Sequence, residues 1–337
     1  MAEPFYNEWL KLSSEDKLAV FQETANKKGL LAAVIEKDWW VCITLRIIKG
    51  MKISQHLVFK GGTSLSKGWN LIDRFSEDID LILDRGFLGF HGTISNKKVN
   101  ELRRANKKYV TTTFIKDLDS AIKGFGIDNI NMTIAEKSIS LGDPIQIDIY
   151  YPSLTEDIPY IQPRVQIEIG SRSLREPCTD RDIVSFVGTE FEGRDFADPK
   201  FPISCVNPER TFLEKVFIIH EEFQKPNDKI RIDRLSRHLY DLSRLMNTGF
   251  ADIALSDLTL YDKLVEHRKL YYKVSGIDYN KHQPKDINLI PSEQIYKEWE
   301  NDYNSMKEDI IFSEPPSLSD LMSKIKSLQA RVNKLNN

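Results

Sequence analysis

HLVFKGGTSLSKGWNLIDRFSEDIDLIL, residues 56–83, is the stretch from which the fold of this chain is inferred. A short apolar strand, Leu57–Phe59, ends at a Gly-Gly turn, and the hydroxyl of Thr63 or Ser64 can cap a helix that follows. A second strand, Asp78–Leu83, alternates charged and apolar residues and then becomes apolar. The stretch therefore predicts a strand–turn–helix–strand unit.

Two carboxylates, Asp78 and Asp80, point to the same side of the second strand, because side chains alternate with a period of two. Like charges this close repel each other unless cations neutralise them, and oxygen ligands suit Mg²⁺ held between protein and substrate phosphates. Glycines let backbone N–H groups approach a phosphate, and the following helix presents its positive N-terminus to the same anion. The unit thus predicts a metal site beside a phosphate cradle, whose residues are Gly61, Gly62, Thr63 and Ser64.

This unit resembles the polymerase-β-like nucleotidyltransferases, whose signature is a GG[ST] turn, a helix and a D-x-D strand. More narrowly, the chain is similar to the AbiEii/AbiGii nucleotidyltransferase toxins, which include the MenT-type toxins. Two later segments, Asn207–Val216 and Arg231–Leu242, also carry the narrower resemblance. The interval from Gly62 to Asp78 is a few residues longer than is usual in the superfamily.

The composition narrows the class of protein. A chain of 337 residues can bury a large core in two lobes, and its hydrophobic content of 41% is ordinary for a soluble protein. The net charge of -3 gives no global basic field, so any contact with RNA must use local patches. The three cysteines lack C-x-x-C spacing, which argues against a zinc knuckle. Since no apolar run could span a membrane and no signal peptide is evident, we expect a cytoplasmic protein.

The periodicity of the chain predicts an α/β (α+β) fold. We expect a nucleotidyltransferase core with a mixed, antiparallel-rich sheet and a helical C-terminal lobe, divided into domains at residues 1–206 and 207–337. The predicted helices include Leu31–Lys49 and Asn96–Lys123, and the predicted strands include Ile130–Ile134, Ile145–Tyr150 and Arg164–Ile169. The first two of these strands are expected to form a hairpin, whereas residues 171–206 give no clear pattern.

A third acidic residue usually completes the metal site in enzymes that this chain resembles, and it comes from a neighbouring strand. The candidates are Asp148 in QIDIY and Glu168 in VQIEI. Glu168 is favoured, because in the family such an acidic strand comes shortly before a lysine motif. The resemblance therefore implies that Asp78, Asp80 and Glu168 bind Mg²⁺ (or Mn²⁺), with Asp148 as the alternative third ligand.

The lysine motif begins at a predicted helix start, where Asn207 suits the N-cap and Pro208 the first helical position. Lys215 lies beside the apolar stripe of this helix, so it either extends its ammonium group to solvent or serves a site. The segment matches the P-E-x-T-x-x-E-K motif of the family, which implies that Lys215 contacts the phosphates of the nucleotide. A compact cation on a flexible stem suits a triphosphate whose charge shifts during transfer.

The last motif lies on another predicted helix, where Arg234, Arg237, His238 and Asp241 share one face. From the residues alone, this face is either an exposed ion-pair surface or part of a site. R-H-x-Y-D matches the final motif of the family, which implies that Asp241 belongs to the active site. Asp241 then either holds Lys215 in place or acts as a base towards the acceptor hydroxyl, and both roles stay open.

Some charged residues outside these motifs also allow two interpretations. Lys37 and Asp38 precede Trp39 on the helix before the glycine turn, and they either serve the site directly or accompany a tryptophan that packs on the sheet. Lys67 follows the turn, where it can assist phosphate binding. A basic cluster on the helix after the D-x-D strand either tracks a phosphate backbone or is a solvated helix face; it comprises Lys97, Lys98, Arg103, Arg104, Lys107 and Lys108.

These observations predict a Mg²⁺-dependent nucleotidyltransferase of the 2.7.7 class, in which an acceptor hydroxyl attacks the α-phosphate of an NTP and pyrophosphate leaves. The predicted catalytic residues are Asp78, Asp80, Lys215 and Asp241. The resemblance further implies the toxin of a type IV toxin–antitoxin or phage-defence system, a tRNA 3′ end as acceptor, and an antitoxin encoded nearby. The alternatives are transfer to a protein or small molecule, or nucleotide or RNA binding without catalysis; the intact Asp78 and Asp80 argue against the last.

Overall fold

The structure is a computed structural model, and it describes residues 3–156, 158, 161–311 and 314–335. The chain folds into two compact units. Unit 1 comprises Met1–Trp69 and Phe75–Val206, and unit 2 comprises Asn70–Arg74 and Asn207–Asn337. The predicted α/β class is confirmed by a seven-stranded mixed sheet in unit 1 and by the helices that surround it and build unit 2.

Unit 1 is built on this one sheet. Its strands are β1 (Leu57–Lys60), β2 (Asp78–Leu83), β3 (Asn131–Ile134), β4 (Ile145–Tyr150), β5 (Arg164–Gly170), β6 (Cys178–Ile183) and β7 (Phe201–Val206). They lie in the order β3-β4-β5-β2-β1-β7-β6. The β2–β5 and β1–β7 pairs are parallel, and the other four pairs are antiparallel. The strand that carries the D-x-D motif is therefore central, with a neighbour on each side.

Helices cover the sheet and connect its strands. They are α1 (Pro4–Lys11), α2 (Ser14–Lys28), α3 (Ala32–Gly50), α4 (Gly61–Thr63), α5 (Asn96–Tyr109), α6 (Ile115–Phe125), α7 (Glu136–Leu141) and α8 (Phe186–Glu190). A 3₁₀ turn, Lys52–His56, precedes β1, and π-helical turns at Ser64–Gly68 and Val110–Phe114 continue α4 and α5. The predicted helix over residues 96–123 is thus one helical run with a π-bulge.

The two sides of β2 differ in burial as its sequence alternation predicts. Ile79 and Leu81 are fully buried in the apolar core of unit 1, whereas Asp78 and Asp80 are partly exposed. Trp39 of α3 belongs to the same core, and its ring stacks on Trp9 with centroids 4.7 Å apart. Burial of the apolar face fixes which side of the strand carries the carboxylates.

Two local predictions need correction. The strands β3 and β4 do pair, but the short helix α7 replaces the tight hairpin turn. Residues 171–206, which gave no clear pattern, contain β6, α8 and β7. Strand β6 was missed because it lies at the edge of the sheet, where four of its six residues are polar or charged and exposed.

Unit 2 is helical. Its helices are α9 (Pro208–Glu222), α10 (Ser236–Leu245), α11 (Gly249–Ser256), α12 (Leu258–Tyr271), α13 (Tyr296–Ile310) and α14 (Leu318–Val332), with 3₁₀ turns at Asn227–Lys229, Tyr279–His282, Pro284–Asp286 and Glu293–Ile295. Asp302 of α13 caps α10 by accepting the N–H groups of Arg234 (2.7 Å) and Ser236 (2.9 Å). The apolar residues of α14, which include Leu321, Ile325 and Leu328, are buried within the unit, where this helix packs against α10.

No helix among the described residues is both long enough and apolar enough to cross a lipid bilayer.

Candidate active site

Strand pairing places the predicted metal-binding carboxylates next to each other in unit 1. In the parallel β2–β5 pair, Asp78 lies opposite Gln166 and Asp80 lies opposite Glu168. Residues that face each other across neighbouring strands project from the same side of a sheet, and the strands are about 4.8 Å apart. Asp78, Asp80 and Glu168 therefore share one face of two adjacent strands.

The alternative third ligand, Asp148, lies farther from the D-x-D strand. It lies opposite Gln166 in the β4–β5 pair, so a whole strand separates it from β2, a distance of about 10 Å. Partners within the sheet do not separate the two candidates, because Asp148 pairs with Arg164 (Nη1–Oδ2, 2.8 Å) and Glu168 accepts from Gln166 (Nε2–Oε1, 3.2 Å). The geometry therefore favours Glu168.

The donor set fits magnesium better than a transition metal. Across the described parts of the chain, no three or more His, Cys, Asp or Glu side chains are gathered as a ready-made metal cage. Mg²⁺ seldom uses an all-protein cage; it keeps waters and takes one or two carboxylates together with substrate phosphates. Asp78 and Asp80 with Glu168 supply only oxygen ligands, so these residues fit an ion whose remaining ligands are water and substrate phosphates.

The glycine turn lies directly against the second carboxylate of the motif. A methyl group built on Gly61 would stand 2.1 Å from Oδ2 of Asp80, and the backbone of Gly61 has a φ of +80°. Both features require glycine, the first through space and the second through the left-handed conformation. The backbone of the turn is therefore in direct contact with the D-x-D strand at Asp80.

The predicted cap of the helix after the turn is wrong. The helix begins at Gly61 with Lys60 at its N-cap, and no side chain caps it. Thr63 and Ser64 are buried, and the Thr63 hydroxyl donates to Ser76 (Oγ1–Oγ, 2.9 Å). Gly61 is partly exposed, so a phosphate contact here would use backbone N–H groups in preference to the hydroxyls.

Lys67, the lysine that follows the turn, makes its contacts inside unit 1. Lys67 pairs with Asp38 (Nζ–Oδ1, 2.7 Å), and its ammonium lies 4.1 Å from the ring centre of Phe186. Asp38 also accepts the backbone N–H of Phe186 at 2.7 Å. Lys67 and Asp38 therefore form an internal ion pair. Lys60 lies opposite Asp80 in the β1–β2 pair, which places a cation beside the motif.

Lys215 and Asp241 meet in a buried charge cluster within unit 2. The Lys215 ammonium lies 2.8 Å from Asp241 Oδ2 and 3.3 Å from His238 Nδ1. Arg74 holds the same carboxylate with two bonds, Nε to Oδ1 at 2.7 Å and Nη2 to Oδ2 at 2.8 Å. Lys215 is 4% exposed, so the interpretation that it extends to solvent is wrong.

The charges around Asp241 favour a role in holding Lys215 in place over a role as a base. Burial alone would raise the pKa of Asp241, but Arg74 and Lys215 outweigh burial and hold that pKa well below its usual range. Burial, reinforced by Lys215, lowers the pKa of His238 far below its ordinary value, so the ring is neutral and Nδ1 can accept from Lys215. Burial also lowers the pKa of Lys215, which Asp241 opposes. A carboxylate with so low a pKa is a weak proton acceptor.

Sequence reasoning missed Arg74. It lies in Asn70–Arg74, a segment that belongs to unit 2 although the chain on both sides of it belongs to unit 1. In the same segment, Asp73 pairs with Arg244 of α10 (2.5 Å). This segment falls within the unusually long interval between Gly62 and Asp78, so that extra length was the one signal available.

Comparison with known proteins agrees with this fold. The family model described as nucleotidyl transferase AbiEii toxin, type IV toxin–antitoxin system, matches residues 49–332. Among solved structures, the MenT4 nucleotidyltransferase toxin from Mycobacterium tuberculosis H37Rv has a TM-score of 0.55 and 17% sequence identity, covering 95% of this chain and 90% of that one. At this identity the likeness shows the fold alone. None of the curated proteins compared with the chain matches it.

The family match covers most of the chain and defines it as a nucleotidyltransferase, an enzyme of the 2.7.7 class. The chain belongs to the AbiEii family, the nucleotidyltransferase toxins of type IV toxin–antitoxin systems. An NTP substrate and an antitoxin partner follow from that membership.

Proposed function

We propose that this enzyme transfers an NMP from an NTP to the 3′-terminal hydroxyl of tRNA, with Mg²⁺ as cofactor. The observation that carries the proposal is the arrangement around Asp80. It lies opposite Glu168 on the neighbouring strand, and the Gly61 turn lies against its carboxylate. Carboxylates beside an accessible backbone turn suit a metal-bound triphosphate.

In the proposed reaction, the acceptor oxygen forms a bond to the α-phosphorus, the bond from the α-phosphorus to the oxygen that bridges it to the β-phosphate breaks, pyrophosphate leaves with that oxygen, and the hydroxyl proton passes to solvent water. Asp78, Asp80 and Glu168 would hold Mg²⁺, which neutralises developing charge and orients the α-phosphate when bound. The backbone at Gly61 approaches the phosphates. The motif of Lys215 implies a phosphate contact, and within unit 2 the buried carboxylate of Asp241 sets the position of its ammonium group.

The surface charge of α5 supports a polyanionic acceptor over a small molecule. This helix contains a single acidic residue, Glu101. Five of its cations form no ion pair within the part of the chain that the structure describes: Lys97, Lys98, Arg104, Lys107 and Lys108. All but Lys107 are exposed, which leaves them available to phosphate groups of an RNA backbone.

The test is a transfer assay with each α-³²P-labelled NTP in turn, Mg²⁺ and total bacterial tRNA, resolved on a denaturing gel. We expect label on tRNA with one or more nucleotides, and none with the Asp80→Ala variant, whose fold is checked by circular dichroism. Label on the protein, or on a component of a bacterial lysate added in place of tRNA, would show that the acceptor is not tRNA. Full activity of Asp80→Ala would overturn the metal assignment.

A further inference from the structure

Lys37 of α3 makes two bonds deep inside unit 1. Its ammonium lies 2.5 Å from Oε2 of Glu77 and 2.9 Å from the backbone oxygen of Gln162. The Lys37 side chain is 4% exposed and that of Glu77 is 12% exposed. Because these two bonds fix its ammonium group, the long side chain of Lys37 has lost its rotamer freedom and holds Glu77 and Gln162 in position.

The two partners of Lys37 lie at the starts of the two strands that carry the proposed metal ligands. Glu77 immediately precedes Asp78, the first residue of β2, and Gln162 lies two residues before Arg164, the first residue of β5. Because β2 and β5 are parallel, both strands begin at the same end of the pair, with Asp78 opposite Gln166. One ammonium group therefore connects the entry points of both strands.

The relative position of these strands decides whether the carboxylates share a site. Asp80 faces Glu168 only in the observed pairing, and a slip of one residue would turn one of the two side chains to the other face of the sheet. The contacts of Lys37 act at the ends where such a slip would begin. The apolar core resists a full slip, so the effect of Lys37 is on the fine position of the carboxylates.

We infer that Lys37 is a positioning residue for the metal site, which it serves through Glu77 and the start of β5 without touching substrate. This inference rests on the proposed function, because it assumes that Asp80 and Glu168 bind the ion. It also gives Lys37, one of the charged residues that precede Trp39, a third interpretation. Lys37 is neither a direct ligand of the nucleotide nor a bystander of core packing.

The neighbouring residue provides a matched control. Glu36 is as deeply buried as Lys37, but it binds a different segment, accepting from Leu154 N at 2.8 Å and from Thr155 Oγ1 at 2.6 Å. Its loss removes a buried charge from the same helix without touching the start of β2 or the backbone at Gln162. A purely structural role for Lys37 predicts that both positions behave alike.

The experiment measures Mn²⁺ binding to the full-length protein through the loss of the free-ion electron paramagnetic resonance signal. The variants are Lys37→Met/Glu77→Gln, which removes both charges of the pair and keeps the net charge, and Glu36→Gln. We expect the Kd for Mn²⁺ to rise about tenfold or more in the double variant. Glu36→Gln should keep the wild-type Kd. The metal concentration that gives half-maximal transfer should rise in parallel for the double variant only.

Wild-type binding of Mn²⁺ by the folded double variant would overturn the inference, as would an equal loss of binding in Glu36→Gln. If the double variant does not fold, Lys37→Gln alone is measured instead, because its shorter, uncharged side chain cannot reach both Glu77 and Gln162; a Kd for Mn²⁺ equal to that of the wild type would again overturn the inference. The proposed function fails separately, if the wild type binds no Mn²⁺ or if Asp80→Ala binds it as well as the wild type does.

Discussion

Gly61 and Asp80 are in such close contact that no side chain fits between them, since a methyl group on Gly61 would stand 2.1 Å from the Asp80 carboxylate. The two residues come from different elements, a turn and a strand, that are separated by 18 residues of chain. Their contact ties the position of the turn to that of the carboxylate. It also provides a direct test of the site.

Gly61→Ala should abolish most of the activity. The added methyl must push Asp80 aside, and a displacement of about 1 Å at a catalytic group can cost about 100-fold in rate. Gly89→Ala is the matched control, because Gly89 has a similar φ of +85° but nothing within 4 Å of its added methyl. That control should lose only about 1 kcal/mol of stability. Transfer rates and melting curves of both variants check this, and equal activity of the two would contradict it.

The third metal ligand can be identified by a pair of isosteric changes. Glu168→Gln should lower kcat by about 100-fold or more, because it removes charge stabilisation next to Asp80. Asp148→Asn should keep most of the activity, since Asp148 lies a strand farther away. The measurement is the transfer rate as a function of Mg²⁺ concentration. The opposite order of effects would assign the site to Asp148.

Asp241→Asn should weaken the fold and nucleotide binding together. The change leaves Arg74 and Lys215 without their shared buried counter-charge, which costs about 3–5 kcal/mol. Asp252→Asn is the control, because Asp252 pairs with Arg331 at the surface and such pairs contribute about 1 kcal/mol or less. Urea unfolding gives both values.

Kinetics of the same variant separate the two roles of Asp241 that the sequence left open. If Asp241 anchors Lys215, the KM for the NTP should rise while the pH dependence of kcat keeps its shape. If Asp241 were the base, the acidic limb of the pH profile should disappear with KM unchanged. The bidentate bond from Arg74 favours the first outcome.

Charge reversal on α5 should weaken tRNA binding. Arg104→Glu/Lys108→Glu should raise the KM for tRNA and make its salt dependence less steep by about 1.4–1.8 in log–log slope, the value for two lost phosphate contacts. The control, Lys116→Glu/Lys137→Glu, makes the same charge change at exposed positions on α6 and α7. Filter binding from low to high salt checks the slopes. Equal slopes for the two pairs of substitutions would contradict the prediction, because tRNA binding would then depend on the net charge of the protein and not on the cations of α5.

Unit 2 should lose stability in mild acid through His220. Burial lowers the pKa of His220 to about 4. Its Nδ1 accepts the Asn288 N–H at 3.0 Å, so the neutral ring is the form that the fold binds. The stabilisation is therefore complete above about pH 6.5, the ordinary pKa of histidine, and is lost as pH falls towards 4.

The expected loss between pH 7 and pH 5 is about 2 kcal/mol in the free energy of unfolding. Urea denaturation at the two pH values measures it. His220→Gln should remove this part of the pH dependence, whereas His91→Gln, in an exposed loop, should leave it unchanged. A wild-type protein that is equally stable at both pH values would contradict the prediction.

The local features of the site could be predicted because neighbouring residues determine them. Alternation of charged and apolar residues identified β2 and placed Asp78 and Asp80 on one side of it. Asn207 and Pro208 marked the start of α9 in the same way. Strand β5 was also visible from its alternation, which made Glu168 a candidate.

The tertiary structure decided which of these candidates lie together and what each charge does. The order of strands in the sheet places Glu168, which the resemblance already favoured, on the strand beside β2, and Asp148 one strand farther away. Arg74 and Asp241 are 167 residues apart, and Lys37 and Glu77 are 40 apart, so no local pattern predicts their bonds. The physical reason is burial. A charged side chain that the fold removes from water is stable only beside a partner of opposite charge, and that partner comes from a distant part of the sequence that only the fold brings near.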